Sequence, residues 1–208
     1  MKTLNKEELI YFEGEIAGMF EMGNIPYLTH LSGGNEDQLI KIFEDIKEGD
    51  YIFSTHRAHY HYMLSGGEPH DLKDKIKSGE GMYLYDRDLN FLSSSVLAGC
   101  TSIATGVALG LKLSGSDKRV WCFLGDGAEH EGHFYESVRY VEQMDLPCTF
   151  IIEDNDRSVD TNKKDRSQSD NFNWNEKYVK KYNYVPIYPH AGTNSKNWIK
   201  FKYQKWEQ

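Results

Sequence analysis

The chain has 208 residues, with 24 Lys and Arg against 32 Asp and Glu, and a formal net charge of −8. This length allows one domain with a sizeable core, and the negative charge argues against non-specific binding to nucleic acid. No apolar run is long enough to span a membrane, and the first residues lack the apolar stretch of a secretory signal, so we expect a cytoplasmic protein.

The first ninety residues predict two amphipathic helices and one strand. Asn5 can cap a helix over about residues 6–22, whose apolar side chains fall on one face. A second amphipathic pattern covers about residues 36–47, and residues 51–54 predict a short strand. Residues 65–90 predict loops with one short helix near residues 71–77.

The central segment predicts a β-α-β unit. Residues 98–115 predict a helix of small residues, and they precede a strand at residues 119–125, a helix at 131–144 and a strand at 148–152. Strands joined by a helix should be parallel, with a right-handed crossover. Three cysteines lie in apolar segments, which predicts buried free thiols: Cys100, Cys122 and Cys148.

The C-terminal part is harder to assign. Residues 156–175 predict a polar loop, followed by a helix near residues 176–182 and a strand near residues 184–188. No linker or internal repeat divides the sequence. We therefore expect one α/β domain with a mainly parallel sheet over residues 1–208.

An acid between two glycines follows the first strand of the β-α-β unit. In parallel sheets, ligands gather at the carboxyl ends of the strands, where Asp126 and Asn155 should meet although 29 positions separate them. An acid with an amide oxygen suits Mg²⁺, which keeps open positions for phosphates. Gly125 and Gly127 would let the backbone approach a diphosphate. Taken alone, Asp126 would more often be a turn or cap residue.

The stretch "GDGAEHEGHFYESVRYVEQMDLPCTFIIEDND" resembles the thiamine diphosphate signature. Within that superfamily the chain most resembles the α subunit of the decarboxylating component of 2-oxo-acid dehydrogenases, of the pyruvate and acetoin type. Further similar motifs are "HRAH" (56–59), "GGNE" (33–36), "LPCTF" (146–150) and the stretch "SSSVLAGCTSIATGVALGLK" (93–112). The match covers about residues 10–160, with several motifs in the family's order, and it implies a three-layer α-β-α thiamine diphosphate-binding fold.

The resemblance also implies roles for residues at matching positions. Mg²⁺ would be held by Asp126, Asn155 and the main-chain carbonyl of Arg157. Arg57 would pair with the diphosphate, because a guanidinium is always charged and can bind two oxygens. Backbone contacts to the phosphates would come from Gly125, Gly127 and Ala128, and a backbone contact to the aminopyrimidine would come from Leu97. His59 would be catalytic and would face the thiazolium or the substrate.

The sequence departs from the family pattern at several positions. His56 and Tyr60 stand where the family has tyrosine and glycine, and Asp154 stands where it has asparagine. The tail over about residues 162–208 matches the family poorly. Family members carry a further histidine loop beyond this point, for which His190 is a candidate substitute.

The family resemblance further implies a partner chain. Thiamine diphosphate is activated by a carboxylic acid from a pyrimidine-binding domain, and 208 residues leave no room for a second α/β domain. We therefore expect a separate β-type subunit to supply the activating Glu, in an α₂β₂ assembly that acts on a 2-oxo acid, with the α chain inert alone.

Three alternatives remain open. The chain can instead be the N-terminal subunit of a split transketolase, which shares the GDG motif, or a non-catalytic remnant with a regulatory or binding role. The run His56, His59 and His61 is a possible Zn²⁺ site, but no Cys or acid lies at a standard spacing, so zinc is disfavoured there. We expect His61 to be a solvated loop residue.

Overall fold

The computed structural model describes residues 4–166 and 172–193, in which strands and helices alternate. The helices are α1 (Lys6–Glu21), α2 (Glu36–Phe43), α3 (His59–Leu64), α4 (Pro69–Lys77), α5 (Thr101–Leu113), α6 (Gly132–Met144) and α7 (Lys163–Arg166). The strands are β1 (Tyr51–Ser54), β2 (Tyr85–Asp86), β3 (Phe91–Ser93), β4 (Val120–Gly125), β5 (Cys148–Asp154), β6 (Arg157–Ser158), β7 (Thr161–Asn162) and β8 (Val179–Asn183). A 3₁₀ turn, Asp126–His130, follows β4 directly.

In the described part of the chain, six strands form one sheet in the order β2-β3-β1-β4-β5-β8. The edge strand β2 is antiparallel to β3, and the other neighbours are parallel. Strands β4 and β5 pair in parallel from Val120 opposite Cys148 to Gly125 opposite Glu153, which confirms the predicted β-α-β unit. The carboxyl ends of β4 and β5 therefore meet at one edge of the sheet.

Helices cover both faces of the sheet, because successive side chains of a strand point to opposite sides. Trp121 and Phe123 of β4 pack with the core that α1 to α4 form on one face. Val120, Cys122 and Leu124 pack with α5 and α6 on the other. A strand buried on both faces needs a continuous apolar run, and this arrangement confirms the α-β-α fold with a mainly parallel sheet.

Helix α1 begins at the predicted residue. The Asn5 side chain accepts a hydrogen bond from the Glu8 N–H at 2.9 Å, and the Glu8 carboxylate accepts one from the Asn5 N–H at 2.9 Å. This capping box satisfies two backbone donors at the helix start. Leu9 and Ile16 are fully buried on the inner face, which also carries the buried carboxylate of Glu13 toward the centre of the molecule.

Helix α5 confirms the predicted small-residue helix. Ala104 and Ala108 are fully buried, and the helix packs on both β4 and α6. Small side chains at these positions let the backbones approach closely.

The prediction for the C-terminal part was wrong in its elements. Strand β8 occupies Val179–Asn183, where we expected a helix near 176–182 and a strand only near 184–188. Glu and Lys favour helices locally, but pairing with the open edge of β5 overrides that preference. Exposed Lys180 and Lys181 suit an edge strand, since charges discourage further strand pairing. Helix α2 ends at Phe43 rather than near residue 47, and α3, β2 and β3 were not predicted. The predicted loop at residues 156–175 also contains short elements, namely β6, β7 and α7.

The three cysteines are buried free thiols, as predicted. Within residues 4–166 and 172–193, none of the helices has the length and apolar character needed to cross a membrane.

Candidate functional site

A cavity of about 230 Å³ opens at the carboxyl ends of the central parallel strands. Its walls come from the segments that follow β1, β4 and β5, together with residues 94–100 before α5 and residues 184 and 190 after β8. This is the edge at which parallel α/β sheets bind their ligands. The predicted site residues should therefore be found around this cavity.

Most of the predicted residues do line the cavity. They are Arg57, Leu97, Gly125, Gly127, Ala128, Asn155 and Arg157. Asp126 is fully buried and is not among the lining residues, although the glycines on either side of it are. The chain thus brings these groups together, while the roles proposed for them stay predictions.

Asp126 is the first residue of the 3₁₀ turn after β4. Its Oδ2 atom accepts a short hydrogen bond from the guanidinium of Arg166. Its Oδ1 atom is buried and has no hydrogen-bond partner among the described residues. Burial raises the pKa of Asp126 to about 6, although the charge of Arg166 acts in the opposite direction. A buried acceptor without a donor is costly, so this carboxylate is well suited to a further cationic ligand.

Asn155 lies just beyond β5 and presents an amide to the same cavity. Its Oδ1 atom accepts a hydrogen bond from the Arg157 N–H at 3.1 Å, and its Nδ2 atom donates to the Tyr184 hydroxyl at 3.4 Å. The turn that places Asn155 is held by the neighbouring Asp154, whose Oδ1 accepts from the Asp156 N–H at 3.0 Å.

Asp154 is a buried acid beside the site, and it is already paired. Its Oδ2 atom lies 2.5 Å from the ammonium of Lys163 and 3.3 Å from that of Lys181. Burial would raise the pKa of Asp154, but the hydrogen bonds from Lys163 and from the Asp156 N–H outweigh burial and lower that pKa. Asp154 is thus paired with two lysines, whereas one oxygen of Asp126 has no partner among the described residues.

Gly127 and Arg57 shape the wall of this cavity. Gly127 has no room for a side chain, because a Cβ atom there would lie 2.5 Å from the Ser158 hydroxyl. The turn after β4 can therefore pack against Ser158 only with glycine at this position. The Arg57 guanidinium is held by main-chain carbonyls, donating to Leu31 at 2.6 Å and to His190 at 3.2 Å. These bonds fix a positive charge in the cavity wall.

His59 lies elsewhere. It is 1% exposed, its Nδ1 atom is 2.9 Å from the Glu13 carboxylate, and it is not among the cavity-lining residues. His59 is the first residue of α3, which runs from the cavity wall into the core, so "HRAHYH" divides between site and interior. The catalytic role of His59 stays a prediction, and the structure does not bring the side chain to the cavity.

The expectation for His61 was wrong. It is buried rather than solvated, with Nδ1 at 2.7 Å from the Ser54 hydroxyl and Nε2 at 3.3 Å from the Glu153 carboxylate. Two positions after His59 on α3, this ring lies against Phe123 of β4, at a centroid distance of 4.3 Å.

Sequence reasoning missed several cavity residues, above all His30. Its ring centroid lies 4.4 Å from that of His56 and 4.6 Å from that of His190. The one sequence signal for His30 was its place in the loop just before "GGNE". Tyr184 also lines the cavity, and nothing in the local pattern after β8 indicated that.

Comparison with known proteins agrees with this geometry. The sequence model of the dehydrogenase E1 component family matches residues 8–177. The α subunit of acetoin:2,6-dichlorophenolindophenol oxidoreductase from Bacillus subtilis (strain 168) is 29% identical over 158 residues, which are 71% of this chain and 47% of that protein. The pyruvate dehydrogenase E1 component subunit alpha of Rickettsia prowazekii (strain Madrid E) is 30% identical over 160 residues, 72% of this chain and 49% of that protein.

The chain spans about half the length of these curated relatives. The family match nevertheless covers both site-bearing strands, the helix between them and the loops on either side. It confirms the resemblance drawn from the motifs, and the chain belongs to the dehydrogenase E1 component family.

Proposed function

We propose that the chain is the α-type subunit of an enzyme that uses thiamine diphosphate and Mg²⁺ to decarboxylate a 2-oxo acid and to transfer or oxidise the resulting acyl group. The observation that carries the proposal is the pair formed by Asp126 and Asn155 at adjacent strand ends. Asp126 offers a buried carboxylate oxygen without a partner among the described residues, and Asn155 and the two glycines beside Asp126 line the cavity.

Membership of the family implies thiamine diphosphate as the cofactor. Asp126, Asn155 and the main-chain carbonyl of Arg157 would hold the Mg²⁺, because hard divalent cations prefer oxygen ligands. When bound, the cofactor supplies the nucleophilic carbon and the electron sink for decarboxylation.

The chain's own residues bind and orient the diphosphate in this proposal. Gly125, Gly127 and Ala128 line the cavity and offer backbone N–H groups, and such donors at a turn form an anion-binding site. Arg57 adds a fixed positive charge, held by the carbonyls of Leu31 and His190. The arrangement neutralises the diphosphate without requiring the guanidinium to reorganise.

We further propose a β-type partner subunit that supplies the activating Glu, in an α₂β₂ assembly. The relatives named above are themselves α subunits. Apolar side chains are exposed at or near the cavity rim, among them Val96 and Leu97, which are 67% and 44% exposed. Exposed apolar groups beside a ligand site suit a subunit interface. Buried free thiols suit the reducing cytoplasm that we propose as the location.

Binding of Mg²⁺–thiamine diphosphate to the complex with the partner subunit tests the proposal. Asp126→Ala and Asn155→Ala should each abolish the Mg²⁺-dependent binding measured by calorimetry. Asp117→Ala, which removes an acid whose side chain is 89% exposed, is the matched control and should bind normally. Undiminished binding in both site variants would overturn the assignment.

Activity assays of the same complex separate the related functions. We expect 2-oxo-acid decarboxylation coupled to an artificial electron acceptor. Ketol transfer between sugars without 2-oxo-acid turnover would instead identify a split transketolase. Cofactor binding without either activity would identify a non-catalytic role.

A further inference from the structure

Three histidines from distant parts of the chain converge on one wall of the cavity. His30 comes from the loop between α1 and α2, His56 follows β1, and His190 follows β8. Their ring nitrogens include one from each residue that all lie within 4.8 Å of one another. The centroids of His56 and His190 are 5.3 Å apart. We call these residues the three-histidine cluster.

The hydrogen bond of His30 leaves one of its nitrogens free to act as a ligand. Its Nδ1 atom lies 2.5 Å from the main-chain oxygen of His190. A carbonyl only accepts hydrogen bonds, so Nδ1 carries the proton and Nε2 keeps its lone pair. Metal-bound histidines almost always use their second nitrogen in this way, which fixes the ring and its tautomer.

The charge state of the cluster also suits a metal ion. Burial lowers the pKa of His30 to about 4 and that of His56 to about 2. Burial also lowers the pKa of His190. Neutral imidazoles offer lone pairs to metals. The cluster is therefore a set of ligands rather than a set of positive charges.

The composition of the cluster selects the class of metal. Among the described residues it consists of imidazoles without a carboxylate, and the Arg57 guanidinium donates to the His190 carbonyl at 3.2 Å. Hard cations such as Mg²⁺ prefer oxygen ligands, but imidazole nitrogens suit Zn²⁺, Co²⁺, Ni²⁺ and Cu²⁺. Zn–N bonds of about 2.0–2.1 Å require rotation of the side chains to draw the nitrogens closer together.

We propose that His30, His56 and His190 form a second metal site, separate from Asp126 and Asn155, that takes a borderline divalent transition metal such as Zn²⁺. Three nitrogen ligands leave a fourth coordination position open. Because all three residues line the cavity, water or an oxygen of a small molecule can fill that position. The three histidines line the same cavity as the residues assigned to the cofactor diphosphate, but none of them is assigned to Mg²⁺.

Cobalt binding to the full chain, free of any polyhistidine tag, tests this site. Titration with Co²⁺ should give the visible absorption of a nitrogen-bound ion at one equivalent, and Zn²⁺ should displace it. His56→Phe and His190→Phe should each weaken binding by at least about 100-fold, because even outer partners of ligating histidines are worth about 10–100-fold. His30→Gln provides a third variant if one of these does not fold.

Three control variants should bind Co²⁺ as the wild type does. His70→Phe removes a histidine whose side chain is 84% exposed. Cys100→Ser removes the thiol that lines the cavity. Asp126→Ala removes the proposed Mg²⁺ ligand, so it separates failure of this site from failure of the cofactor assignment. Absence of Co²⁺ binding, equal binding in the histidine variants, or loss of binding in Asp126→Ala would overturn the proposal.

Discussion

Replacement of Arg166 by alanine should destabilise the cofactor-free chain and at the same time strengthen its binding of Mg²⁺–thiamine diphosphate. The Arg166 guanidinium donates to the Asp126 carboxylate, and the two side chains are 14% and 1% exposed. The guanidinium therefore supplies the positive charge that we assign to Mg²⁺ in the bound form. Its Nε and Nη1 atoms lack partners among the described residues, so the pair is incompletely satisfied.

The size of both effects follows from the burial of this pair. Removing one partner of a buried ion pair costs about 3–5 kcal/mol, and the partial exposure of Arg166 favours the lower figure, about 3 kcal/mol. The bound form does not use the pair, so the variant loses little there. The same free energy should appear as a gain in affinity of up to about 100-fold, since about 1.4 kcal/mol corresponds to tenfold.

Urea unfolding of the cofactor-free chain measures the first effect. Calorimetric titration of the complex with the partner subunit, using Mg²⁺–thiamine diphosphate, measures the second. Arg139→Ala is the control, because Arg139 forms an exposed pair with Glu142 at 3.1 Å, and such pairs contribute about 0–1 kcal/mol. Weaker cofactor binding in Arg166→Ala would show that the arginine contacts the cofactor. Unchanged stability would show that the pair does not compensate Asp126. Either result refutes the reasoning.

Three further predictions concern the same region. Burial raises the pKa of Asp126 from its ordinary 3.8 to about 6, so the cofactor-free wild type should lose stability relative to Asp126→Asn as pH rises from about 4 to about 6. Urea unfolding of both proteins across this pH range measures the difference in stability, and a difference that does not change with pH would contradict the prediction. Phe134→Ala removes a fully buried ring of α6 and should lower the free energy of unfolding by about 3–5 kcal/mol. The control Leu113→Ala should change the free energy of unfolding little, because that residue is 78% exposed. Gly127→Ala should weaken cofactor binding in calorimetry with little loss of helix content, because its Cβ would collide with Ser158. Normal binding would show that the close packing of Gly127 on Ser158 is not needed for cofactor binding.

Local patterns predicted the central fold well. The apolar run of β4, the amphipathic α6 and the apolar run of β5 are adjacent in sequence, and their pairing is the simplest β-α-β solution. The start of α1 was equally clear, because a capping box is made by residues three positions apart. The C-terminal strand β8 was not predicted correctly, since its conformation depends on the edge of β5, about 30 positions earlier in the chain.

The sequence by itself determined the glycine-flanked acid and the asparagine one crossover later, and parallel pairing was enough to place both at one edge. The arginine after β1 was indicated by the resemblance to the family. Only the tertiary structure decided that Arg166 pairs with Asp126, that His59 turns inward to Glu13, and that the three-histidine cluster forms. The physical reason is the distance along the chain between the segments that determine each position. A strand end is placed by its own strand and immediate neighbours, whereas a loop side chain is placed by contacts with segments that can lie more than 100 positions away, as between His30 and His190.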